Sequence, residues 1–129
     1  MLGLNTYRKS VASYKGKGII IGIIDNGIKK NPKKEITHGT LMANIITNYF
    51  VDDNYVPIGI APDAELIDLD ISNAEEQYFF SDVLEKFDKI INNSVSIDIL
   101  LISLTTLKPS DGQDILSIAE TTQVIRNVL

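Results

Sequence analysis

The stretch Ile19 to Ile46, IIIGIIDNGIKKNPKKEITHGTLMANII, decides the fold. Its opening run, Ile19 to Ile24, is apolar and β-branched except at Gly22, the pattern of a strand covered by helices on both faces, as in a parallel sheet. The run stops on Asp25-Asn26-Gly27, which are turn residues. His38, the single histidine, follows thirteen positions after Asp25 and stands ahead of Leu41, Met42, Ile45 and Ile46, whose spacing predicts a helix. A carboxylate at a strand end and an imidazole at a helix start are either punctuation or chemistry.

Two further apolar runs read as strands, Glu65 to Ile71 and Ile97 to Ser103. The second is nearly continuous and reads as buried. The first alternates, with Ile67, Leu69 and Ile71 on one side and Leu66, Asp68 and Asp70 on the other, which suits a more exposed position. From Gln77 to Asn93, the residues Phe80, Val83, Leu84, Phe87, Ile90 and Ile91 form one apolar helical face, with Tyr78-Phe79-Phe80 expected to anchor it in the core, the alternative being that Tyr78 or Phe79 reaches a partner surface. Helices are also expected over Leu4 to Val11 and, capped by Ser110-Asp111, along Ile115, Ile118, Ala119, Ile125 and Leu129. The alternation of helix and strand predicts an α/β fold, an open parallel sheet with helices on both faces joined by right-handed crossovers. In such a sheet, ligands collect outside the carboxyl ends of the strands where strand order reverses, and Asp25 stands there if the other two strands flank the first.

A chain of 129 residues is one ordinary domain, residues 1–129, able to bury a core without staples. With no cysteine, thiol catalysis, disulfides and cysteine metal sites are excluded. A formal net charge of −5 gives no basic footprint for nucleic acid. No apolar run approaches the length of a membrane span, and the opening MLGLNTYRKS has no secretory-signal pattern, so a cytoplasmic protein without membrane association is expected.

Four blocks, in order, resemble the subtilisin-like serine proteases. Gly16-Lys17-Gly18-Ile19 leading through IIIGIIDNGI is similar to the family's opening strand, which ends on the triad aspartate. His38-Gly39-Thr40-Leu41-Met42-Ala43 resembles the H-G-T-H-V-A block that carries the triad base. Gly59-Ile60-Ala61-Pro62-Asp63-Ala64-Glu65-Leu66 is similar to the G-V-A-P-x-A-x-L segment, and Ile97 to Leu104 to the strand ending in S-L-G-G. The resemblance covers nearly the whole chain. It implies a subtilisin-like sheet truncated after about three strands, a partial subtilase catalytic domain, with Asp25 and His38 as catalytic residues and Ser103, Leu104 and Thr105 along the substrate-binding edge. Such a pair has a physical purpose: a carboxylate fixes the imidazole tautomer and stabilises the imidazolium formed during acyl transfer.

The chain departs from that pattern in one decisive respect. None of its nine serines stands in the G-T-S block that supplies the nucleophile, and the asparagine that donates to the oxyanion has no counterpart. The expectation is a split serine endopeptidase, a heterodimer in which a complementary subtilase-like chain supplies serine and asparagine and a peptide or protein is the substrate. The alternative is a catalytically inactive subunit that binds peptides or regulates a relative. Smaller departures are the short spacing from Asp25 to His38, Leu41 in place of a second histidine, and Thr105-Thr106 in place of Gly-Gly.

No cofactor or metal is expected. The pairs Asp68/Asp70 and Asp52/Asp53 lack the further oxygen ligands that a cation requires and read as solvated surface. Lys29, Lys30, Lys33 and Lys34 read as a solubilising loop. A receiver-like or nucleotide-binding domain also places an acid after its first strand. Against it stand the missing Gly-rich phosphate loop and the expectation that no second carboxylate lies beside Asp25.

Overall fold

The apolar runs become three parallel strands, with helices between them. The computed structural model describes residues 15–29, 36–47, 59–73, 78–92, 96–104 and 111–113. In chain order these hold β1 (Ile20–Asp25), α1 (His38–Thr47), β2 (Glu65–Asp70), α2 (Phe80–Ile91) and β3 (Ile99–Ile102). The helices expected over residues 4–11 and 115–129 lie outside the described residues, as do Asp52, Asp53 and the lysines beyond Lys29.

The described sheet has the order β2-β1-β3, both pairings parallel. The first strand in sequence is therefore central, and the order reverses around it. Register places Asp25 opposite Asp70, and Ile24 opposite both Leu69 and Ile102. Strand β1 runs one residue further than the apolar pattern predicts, because the Asp25 carbonyl still accepts the Ile71 N–H at 3.0 Å. At the other end β3 starts late: the Asp98 N–H donates to the Ile20 carbonyl at 2.9 Å, but the Ile20 N–H is met at 2.8 Å by the Asp98 carboxylate and not by a backbone carbonyl.

Alternation along β1 divides the two faces. On one, Ile24 joins Leu69 and Ile71 against Val83, Phe87 and Ile90 of α2, with Leu100, Ile102 and Leu104 packed around them. Gly22 shares that face, where an added Cβ would collide with Ile97 and press on Leu69 and Leu100. On the other face Ile21, Ile23 and Asp25 are buried, and α1 packs against β1 through Gly39 and Ala43. Each fully buried Ile or Phe removes apolar area from water, worth about 1.5–3 kcal/mol. Phe87 is 2 % exposed at the centre of the α2 cluster. Phe87→Ala is expected to destabilise the chain by about 3–5 kcal/mol through lost transfer energy and the cavity left behind, read as a lower urea midpoint.

Two expectations about burial need correction. Strand β3 is not covered on both faces: Ile99 is 52 % exposed, because β3 is an edge of the described sheet and α1 lies on β1. Tyr78, Phe79 and Phe80 are exposed by 48 %, 50 % and 41 % rather than anchored in the core. Helix α2 begins only at Phe80, and its inward stripe is Val83, Phe87 and Ile90. At its start Asp82 reaches back to accept the Phe79 N–H, a long and exposed bond at 3.4 Å. Among the described residues no helix is long and apolar enough to cross a membrane.

Candidate active site

At the end of β1 the chain must leave the sheet, and Asp25 is the last residue in it. Its side chain lies on the α1 face, and the residue is buried. A buried carboxylate is tolerated only when its oxygens are hydrogen-bonded, and three donors among the described residues meet this one. Oδ1 accepts the Asn26 N–H at 2.7 Å. Oδ2 accepts from His38 Nδ1 at 2.7 Å and from the Ser103 hydroxyl.

These bonds decide which nitrogen faces the carboxylate. A carboxylate can only accept, so Nδ1 carries a proton, and in the neutral ring the lone pair is then on Nε2. The His38 side chain is half exposed while the Asp25 side chain is 4 % exposed. The pair thus joins a fixed, dry acceptor to a ring that an incoming group can reach.

Close packing of α1 on the strand exit sets the pair. Gly39 approaches so tightly that a Cβ there would stand 2.8 Å from the Gly27 carbonyl oxygen and 3.1 Å from Asp25 Cβ. Gly27 itself has φ of 83°, a left-handed conformation that favours glycine, and a Cβ there would meet the Asp70 carboxylate at 2.6 Å. The Asn26 side chain accepts the Gly39 N–H at 2.9 Å, tying the residue after Asp25 to the residue after His38. No sequence signal assigns Asn26 this role, since Asp-Asn-Gly is an ordinary turn.

The predicted substrate-edge residues separate. Ser103 turns its hydroxyl onto Asp25. Leu104, one position on, packs against the α2 cluster. Thr105 lies outside the described residues. Strand order explains the first placement: β3 lies directly beside β1, with Ile24 opposite Ile102, so Ser103 follows in register next to Asp25.

The same register corrects one expectation. A second carboxylate does lie beside Asp25, since Asp70 is its partner across β2. Asp70, however, accepts the Ser72 N–H at 2.7 Å and closes on Gly27. Among the described residues no three His, Asp or Glu side chains form a group that would hold a metal ion.

Asp68 also serves the strand exit, accepting the Ile28 N–H at 2.9 Å. Burial pushes its carboxyl above the ordinary Asp value of 3.8; the Ile28 N–H opposes this, the Asp70 charge adds to it, and Lys29 and Lys86 oppose it. The folded chain therefore holds this proton more tightly than the unfolded chain, so the ionised form costs stability, and the cost vanishes as pH falls through the folded value. Asp68→Asn is expected to raise the urea midpoint relative to the parent at neutral pH, with the gain shrinking as the buffer is acidified and Asp68 takes up its proton. The opposite pH trend would show that burial is not the dominant influence on Asp68.

What the arrangement can do follows from its parts. A half-exposed imidazole with Nδ1–H anchored on a buried carboxylate can act as a general base at Nε2 and, once protonated, as a general acid. A search against models of known protein families finds no match to this chain.

Proposed function

We propose that this chain is the aspartate- and histidine-bearing part of a subtilisin-like serine endopeptidase, with the nucleophile and the oxyanion asparagine supplied by a complementary chain. One observation carries the reading: His38 Nδ1 lies 2.7 Å from a buried Asp25 carboxylate at the end of the central parallel strand. The four blocks that resemble the family, in the family's order, support it.

In the assembled site, Nε2 of His38 takes the proton from the serine hydroxyl as its oxygen attacks the peptide carbonyl carbon. Asp25 stabilises the imidazolium that forms, without itself taking the proton. His38 then returns the proton to the leaving amine as the peptide C–N bond breaks. Water repeats the sequence on the acyl-enzyme and regenerates the serine.

The test is reconstitution. This chain, co-expressed with a chain carrying the G-T-S block, is treated with a serine-directed fluorophosphonate and with peptide substrates. Labelling and hydrolysis that need both chains are the expected result. Binding of peptides with no labelling in any pairing would overturn it and favour the inactive, peptide-binding subunit, the reading motivated by the nine serines that lie outside any such block.

A further inference from the structure

Among the described residues, three polar side chains are buried on this face, Asp25, Thr37 and Thr40, and the general-base chemistry uses only the first. Thr37 immediately precedes α1 and is 8 % exposed; Thr40, in the first turn, is 1 % exposed. Their hydroxyls lie 2.7 Å apart. At such burial each proton has to be accounted for.

The directions can be assigned without choice. The Gly27 carbonyl only accepts, so the Thr37 hydroxyl donates to it, at 2.5 Å. With that proton committed, the donor in the hydroxyl pair is Thr40. Thr40 Oγ1 in turn accepts the Lys29 N–H at 2.8 Å, and Thr37 Oγ1 accepts the Thr40 N–H at 3.2 Å. The result is a closed relay from the Lys29 N–H through both hydroxyls to the Gly27 carbonyl.

Only one of those four bonds caps a helix. The bond from the Thr40 N–H to Thr37 satisfies an orphan donor of α1. The other three run to or support the segment that leaves Asp25, and capping does not require them. Adding the Asn26–Gly39 bond, residues 26, 27 and 29 of the strand exit are bound to residues 39, 37 and 40 of the helix start. His38 lies between these anchors.

We infer that Thr40, acting through Thr37, together with Asn26, positions His38 for its bond to Asp25, so that the relay and not the cap alone keeps the ring on the carboxylate that fixes its tautomer. These are positioning residues, since they touch neither the imidazole nor a reacting atom. The inference rests on the peptidase reading only where hydrolysis is the readout.

His38 is the single histidine, so a long-range ¹H–¹⁵N spectrum of the full chain reports its ring alone. Thr40→Val keeps the Thr37 cap but removes the relay. The expected result is a predominant Nδ1–H form in the parent, a mixture of tautomers in folded Thr40→Val, and return to the parental spectrum in Thr40→Ser. Should Thr40→Val fail to fold by circular dichroism, Asn26→Ala, at a half-buried position, carries the same test. A parental ring state in whichever of the two folds would overturn the inference. In the reconstituted peptidase, Thr40→Val is expected to lower kcat by about tenfold to a hundredfold with KM unchanged, the scale of a misplacement near 1 Å. A rise in KM at constant kcat would overturn it as well. If no pairing hydrolyses peptide while the spectra behave as described, the peptidase reading fails and the positioning role stands.

Discussion

On the proposed split-peptidase reading, replacing His38 with alanine is expected to lower peptide hydrolysis by the two-chain assembly by about 10⁶-fold, the loss that follows when the base is removed from a Ser-His-Asp unit. That is about 8 kcal/mol of transition-state stabilisation. The reason lies in the division of labour. Without Nε2 nothing near the serine takes its proton, and the hydroxyl is a weak nucleophile at neutral pH. The fold should survive: the ring is half exposed, and Asp25 keeps the Ser103 hydroxyl and the Asn26 N–H. Loss of one hydrogen bond to a charged group costs about 1.5–3 kcal/mol, which thermal melting will report. The check is fluorophosphonate labelling of the partner serine beside a melting curve. Labelling that persists at the parental rate in a folded His38→Ala complex would remove His38 from the mechanism.

The second large effect is expected from Asp25→Asn, about 10⁴-fold in kcat. The carboxylate is here a pure acceptor for three donors: His38 Nδ1, the Ser103 hydroxyl and the Asn26 N–H. An amide offers one accepting oxygen and two N–H donors. If its oxygen keeps the Asn26 N–H, its NH₂ faces His38, which must then present a lone pair at Nδ1. The ring proton moves to Nε2, and the base becomes unable to accept from serine. Ser103 adapts by rotating its hydroxyl, so the penalty concentrates on the histidine. The same ¹H–¹⁵N spectrum will show the tautomer, and kcat will fall with little change in KM. Activity within about tenfold of the parent would mean that the tautomer is held by something other than Asp25.

Much of this site is legible in the order of residues along the chain. The apolar run from Ile19 ends on a carboxylate, the helix pattern from Leu41 opens on an imidazole, and the α2 stripe is visible in Val83, Phe87 and Ile90. These are local signals, because burial imposes a period of about two on half-buried strands and about 3.6 on helices. Thr37, a residue type favoured at helix N-caps, stands directly ahead of His38 in the chain. That position gives no sign that the Thr37 and Thr40 hydroxyls both reach back to the strand exit, since that depends on how α1 is set down upon β1.

The elements whose burial differs from expectation share a cause. Strand β3 is as apolar as a buried strand, yet Ile99 is exposed, because composition cannot say which strand becomes an edge of the described sheet. Tyr78 to Phe80 are aromatic enough for a core, but α2 starts too late to carry the first two inward. Asp70 and Ser103 lie 45 and 78 positions from Asp25 in the chain, and only the order β2-β1-β3 brings both alongside it.

The α/β class, the apolar strand that leads into Asp25 and the helix that opens on His38 are thus properties of the sequence alone. Each follows from the periodicity and capping preferences of neighbouring residues. Tertiary packing settled the rest: Ser103 shares Asp25 with His38, Asp70 is the register partner of Asp25, and Thr37 and Thr40 close a relay around the histidine. Pairing register and hydrogen-bond direction are set between segments far apart in the chain, where no local pattern records them.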